Sequence, residues 1–217
     1  MTALLERLAR APFRVWGIVL AGLIMTALLG QIIMERVAIL RDGTEVRLAT
    51  TPVDPRDIFR GDYVILTYEI SNLVLEQLTG DDLDDYTEGD TVYVSLEEDT
   101  NGIWQASGIA RNADAFTDDV FIKGRIEWMT QVRPVAGETS EPPLTQANGE
   151  PCRPCNSARI AYGIESYFVP EGTGRDLENM RDEGSVTVIT AIAQNGTAAI
   201  KGLILDGGDP VYLEPLL

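Results

Sequence analysis

Between Val15 and Met34 the chain runs twenty residues without a charged side chain, VWGIVLAGLIMTALLGQIIM. As an α-helix rising 1.5 Å per residue, that run covers roughly 30 Å, the hydrocarbon thickness of a bilayer. A cleavable secretory signal has a shorter apolar region and ends in a small-x-small site, and neither feature is clear here. A helix buried in a soluble core rarely goes so long without a charge. The reading is therefore one transmembrane helix over residues 15–34. Residues 1–14 carry Arg7, Arg10 and Arg14 against Glu6, a net +2, so the remainder of the chain's -17 puts -19 on residues 35–217. Positive flanks stay in the cytoplasm, which predicts a short cytoplasmic N-terminus and an extracytoplasmic body, periplasmic in a Gram-negative cell.

Composition narrows what that body can do. A chain this acidic repels phosphate backbones, so no nucleic-acid partner is expected. With no histidine among its 217 residues, the Ser-His-Asp and Cys-His systems and the two-histidine zinc helix are ruled out. Lysine occurs only at Lys123 and Lys201. A membrane anchor followed by a β-rich domain in which a Gly-Asp turn opens a strand resembles bacterial signal peptidases. No serine lies between Glu45 and Ile70 to serve as nucleophile, however, and Lys123 alone cannot replace it.

Downstream of the helix, apolar residues alternate with polar ones. Strands are expected at residues 45–49, 63–71, 91–96, 103–110, 120–129, 159–169, 185–193 and 197–205, with short helices at 72–78 and 174–180. Asn101-Gly102 and Asn195-Gly196 each separate two such runs and mark hairpins, with both turn residues expected at positive φ. The halves resemble one another. Tyr63 and Tyr68 match Tyr162 and Tyr167 at an offset of 99, Glu88-Gly89 matches Glu183-Gly184 at 95, and Asn101-Gly102 with Gly108 matches Asn195-Gly196 with Gly202 at 94. The expected fold class is mainly β (α+β): a duplicated β-α-β-β unit, with copies near residues 46–110 and 159–207, closing as one barrel-like or two-sheet domain.

Residues 134–156 hold five prolines and two glycines and read as an exposed loop. Within them, Cys152-Arg153-Pro154-Cys155 reads as a local disulfide; a redox pair of the thioredoxin kind would open a helix beside a βαβ unit. Without histidine or further cysteines a four-ligand zinc site lacks donors. The acidic run from Asp81 to Asp90 misses the calcium-loop spacing and reads as a solvated connector. No metal or cofactor is expected.

Gly61-Asp62-Tyr63-Val64-Ile65-Leu66-Thr67-Tyr68 fits a signature at every named position and resembles that of the GDYXXLXY family of bacterial membrane-anchored proteins. Tyr162-Gly163-Ile164-Glu165 with Tyr167 to Gly172, and Ala199 to Leu203, are similar to its later blocks. The resemblance implies a single-pass anchored protein, often found with a multi-spanning membrane protein, and implies no activity. On strand geometry Leu66 and Tyr68 point into the core, and Gly61-Asp62 forms the turn before the strand.

At the offset of 99, Glu165 would occupy the place of Leu66. A carboxylate there would be neutral, or matched by Arg56, Arg60 or the Tyr68 phenol. The candidate binding set is Arg56, Asp57, Arg60, Asp62, Tyr63, Tyr68, Glu165 and Tyr167. Charged residues on a loop before a strand suit docking, so the expected function is a non-enzymatic accessory bound to a polytopic inner-membrane protein. The alternative is an envelope hydrolase pairing Glu165 with Asp57 or Asp62.

Overall fold

The computed structural model describes residues 13–51, 63–80, 86–117, 119–132, 155–168, 186–205 and 208–211. The chain divides into Met1–Ala38 and Ile39–Leu217. Helix α1 (Phe13–Asp42) contains the apolar run and extends it by two turns; its large apolar side chains from Trp16 to Met34 are exposed. It is long and apolar enough to cross a membrane. In the second unit its last turn is fixed by burial of Leu40 and by the Gly43 N–H, which donates to the Ile39 carbonyl at 2.9 Å. A Cβ on Gly43 would lie 3.1 Å from the backbone N and O of Ile192, so glycine allows this close approach.

The rest is mainly β. Three antiparallel hairpin-like pairs supply most of it: β5 (Thr91–Glu98) with β6 (Trp104–Ala110), β7 (Val120–Val132) with β8 (Cys155–Ala161), and β10 (Val186–Ile192) with β11 (Ala198–Leu205). Around them lie β1 (Thr44–Ala49), β2 (Tyr63–Ile65), β3 (Asn72–Val74), β4 (Thr79–Gly80), β9 (Ser166–Phe168) and β12 (Pro210–Val211). The sheet orders are β3-β8-β7-β5-β6-β4, β1-β10-β11-β12 and β2-β9. Alternation decides which faces turn inward. Val92, Val94 and Leu96 of β5 and Ile122 and Ile126 of β7 are buried, while Lys123, Arg125 and Glu127 between them are exposed.

The connections cross between halves. β1, the first strand after the helix, pairs with β10 near the end of the chain, and β7 completes the sheet of the early hairpin β5–β6. The core is accordingly shared: Val46, Leu48, Leu66 and Tyr68 cluster with Ile122, Ile126, Ile160, Val188 and Leu203.

Several local expectations change. Residues 72–78 are not helical: Asn72 to Val74 form β3 against β8, and Leu75–Gln77 is a single 3-10 turn. Seven residues are too few to repay helix nucleation when a strand partner is at hand. The strand expected over 63–71 ends at Ile65, and a 3-10 turn follows at Glu69–Ser71. That over 159–169 is broken between Ala161 and Ser166, where Gly163 takes φ +78°. Cys155 and Asn156, expected in the loop, open β8. The helix expected at 174–180 lies outside the described residues.

Both hairpins form, with three-residue loops rather than two-residue ones. Asp99 N–H bonds the Ile103 carbonyl and Gly102 N–H bonds that of Asp99; Ala193, Thr197 and Gly196 repeat the arrangement. Each glycine takes the left-handed position after the turn, φ +79° at Gly102 and +82° at Gly196. Gly102→Ala should cost about 1 kcal/mol of strain. Gly196→Ala should cost more, because its Cβ would also meet the Lys123 backbone N at 2.9 Å and the Phe121 ring at 3.0 Å. Denaturant titration of the two variants checks the order.

Candidate functional site

Of the residues singled out in the sequence, the structure brings Tyr68, Glu165 and Tyr167 into one neighbourhood. Arg56, Asp57, Arg60, Asp62 and Cys152 lie outside the described residues, and Tyr63 is placed by its backbone in β2, opposite Phe168. Leu66 and Tyr68 are fully buried, and Tyr167 is buried at the Val64 pairing of β2 with β9. Cys155 is buried and disulfide-bonded; the chain holds one other cysteine, Cys152.

Two phenols organise the region. The Tyr68 O–H donates to the Ile164 carbonyl at 2.6 Å, and the Tyr162 O–H donates to the Ile70 carbonyl at 2.6 Å. Each tyrosine comes from one half and closes on a turn of the other. Sequence reasoning placed Tyr68 in the core but missed its partner, because its comparison aligned Tyr68 with Tyr167. The contacts align Tyr68 with Tyr162 and Ile70 with Ile164, both 94 residues apart. That is the spacing already visible at Asn101 and Asn195, and it was the available signal.

Glu165 changes meaning with the alignment. At 94 residues it corresponds to Ser71, not to Leu66. Ser71 Oγ accepts the Tyr68 N–H at 3.3 Å, and Glu165 Oε1 accepts the Tyr162 N–H in a short bond. Both side chains tie down the backbone of a tyrosine three residues earlier. Glu165 is half-buried rather than enclosed, because it sits on a turn and not on the core face of a strand. The buried carboxylate that suggested hydrolytic chemistry is therefore a turn acceptor. Gly163 makes that turn possible through its positive φ.

Electrostatics reinforces the reading. Burial first, and the nearby Glu165 charge second, hold the Tyr68 and Tyr162 phenols protonated well above a tyrosine's usual range. Deprotonation would take the donor from each inter-half bond and leave a buried anion. Among the described residues, no three acidic or cysteine side chains group closely enough to hold a metal ion. Outside the cluster, Asp90 accepts the Thr87 N–H at 3.0 Å and meets Arg111 at 3.4 Å, while the Arg111 guanidinium lies 5.1 Å from the centre of the Tyr86 ring. These contacts anchor the end of the acidic connector to the sheet.

Tyr68→Phe and Tyr162→Phe should each cost about 1–3 kcal/mol by stranding a buried carbonyl. Glu165→Gln, which keeps the acceptor, should be close to neutral, whereas Glu165→Ala should lose about 1 kcal/mol; thermal or denaturant unfolding measures all four. The raised phenol pKa values give stability that is complete below about pH 10 and lost above it, since the unfolded chain releases two protons that the fold retains. The expected slope is about 2.7 kcal/mol per pH unit, and either Tyr→Phe variant should halve it. Denaturant titrations at stepped alkaline pH read it directly.

A search of curated proteins finds no match, and neither does a search of solved structures. The family comparison does: residues 25–203 match the GDYXXLXY protein family, from the second half of the apolar run through the core of β11. With the match spanning most of the chain, and the signature residues Leu66 and Tyr68 set at the junction of the two halves, this chain belongs to the GDYXXLXY family.

Proposed function

We propose that this protein is a single-pass, membrane-anchored accessory whose β body lies on the periplasmic side of the inner membrane and docks on a polytopic membrane protein. The observation that carries the anchor is α1: an apolar helix with exposed side chains, leading into β1 through Gly43 alone. The charge difference across the uncharged run of residues 15–34 supports the orientation, with +2 on residues 1–14 and -19 on residues 35–217. The disulfide at Cys155 fits an oxidising compartment. The body is read as an internal duplication of one β unit.

Docking falls to the charged segment Arg56-Asp57-Ile58-Phe59-Arg60-Gly61-Asp62, which joins β1 to β2. It mixes both charge signs with an aromatic side chain, a composition suited to binding a protein surface. The neighbouring signature residues are occupied otherwise: Tyr68 and Glu165 are committed to internal hydrogen bonds, and Tyr167 is buried. No reacting group is assigned to them.

Two measurements test the proposal. Alkaline phosphatase fused after Leu217 should be active; activity only in a cytoplasmic reporter would reverse the orientation. A photocrosslinker at position 57 in cells should capture an integral membrane protein. Capture of this chain alone would replace the accessory reading with a self-associating one.

A further inference from the structure

The crossing of strands between halves follows a rule that relates the β2–β9 and β3–β8 pairs, the two hairpins and the leading strands, though not the outer edges, where β6 pairs with β4 in parallel and β11 pairs with β12 antiparallel. Shifting by 94 residues converts the β2–β9 pairing, Tyr63 to Phe168 and Ile65 to Ser166, into the β8–β3 pairing, Ser157 to Val74 and Arg159 to Asn72. The same shift superposes the two hairpins down to their irregularity. Ser95 faces Gly108 and Leu96 faces Ala106, skipping one residue; Ile189 faces Gly202 and Thr190 faces Ile200, skipping one residue at the same place. The phenol bonds exchange with each other under it.

The leading strands obey a related rule. Val120, Ile122 and Lys123 of β7 face Leu96, Val94 and Tyr93, as Val46, Leu48 and Ala49 of β1 face Thr190, Val188 and Thr187. They are 74 residues apart, because the link from leading strand to the next strand is twenty residues longer in the second half. Bridges beyond them agree: Thr51 N–H bonds the Thr67 carbonyl where Arg125 pairs with Ala161. Strand and turn preferences repeat by chance, but reciprocal partners across two halves do not. Such a set of exchanges is what twofold symmetry imposes, since contact i to j must recur as j to i.

We propose that the body is a covalently fused dimer of one unit, in which each half completes the other half's sheet with its own leading strand. The surface on each half is thus a docking edge for a second copy of that half. A single unit would leave the β5 edge unpaired and the apolar face of Val92, Val94 and Leu96 uncovered, and a lone hairpin of this kind is marginal in water. In this chain fusion provides the second copy. The inference concerns how the body is assembled, and it stands whether or not the accessory reading holds.

The test uses the full-length protein in mild detergent, with a specific protease site inserted after the exposed Thr117, between β6 and β7. After cleavage the two fragments should migrate as one particle and melt in one transition, parting only in denaturant, because β1 and β7 still bridge them. Fragments that separate under native conditions, or melt independently, would overturn the exchange. The equivalence itself is tested by a chain carrying the halves in reversed order: residues 1–45, 120–204, 111–119, 46–110 and 205–217 joined in that sequence. A twofold body predicts a single cooperative transition with the alkaline sensitivity of both buried phenols retained. Loss of a cooperative transition in that chain, with the cleaved protein still intact, would show interlocked halves that are not equivalent and would refute the fused-dimer assignment.

Discussion

The body depends on a reciprocal pair of hydrogen bonds, one made by each half to the other. A phenol is large enough to fill the middle of a sheet stack and polar enough to require a partner there, so a buried tyrosine fixes both packing and position. Tyr68 and Tyr162 reach across and each satisfies a carbonyl in a turn of the other half. Those carbonyls belong to residues 70 and 164, where the chain leaves one strand for the next. Without the phenols both turns would carry a buried acceptor with no donor, and the two sheets would lose the contact that sets their register.

On the fused-dimer reading, corresponding positions around that centre differ in detail. Gly124 leaves space for the Tyr162 ring, since a Cβ there would strike both Ile160 and Tyr162. Its counterpart beside Tyr68 is Thr50, whose hydroxyl instead bonds the Val186 carbonyl at 2.7 Å. Thr190 stands where the other half has Leu96 and keeps a buried hydroxyl with no partner; nothing in the structure explains that choice. At the start of β8 the chain has a disulfide at Cys155, 94 residues after Gly61 of the signature.

Much of this was legible in the sequence. The long apolar helix, the mainly β class, the two hairpins and the inward direction of Leu66 and Tyr68 all follow from periodicity and turn chemistry. The partners of the strands did not follow, because alternation reports which side chains face inward and says nothing about which neighbour supplies the hydrogen bonds. The short helix expected at 72–78 failed for that reason: Asn72 to Val74 had a distant strand to join, and local propensity lost to it. The role of Glu165 was misread through an alignment five residues out of step. Matching tyrosines by type favoured Tyr167, whereas the glycine spacing of the hairpins pointed to Tyr162.

The pairing of β1 with β10 has a consequence for biogenesis. The first strand made after the apolar helix is fully paired only when Ile192 has appeared, near the end of the chain. At synthesis rates of 5–20 residues per second, that leaves the leading strand without a mate for roughly 7–30 s. Vectorial, piece-by-piece maturation is closed to such a topology. Until then the nascent segment stays open to proteases and in need of a holding chaperone, and a ribosome stalling late in the message releases a product with a bare sheet edge.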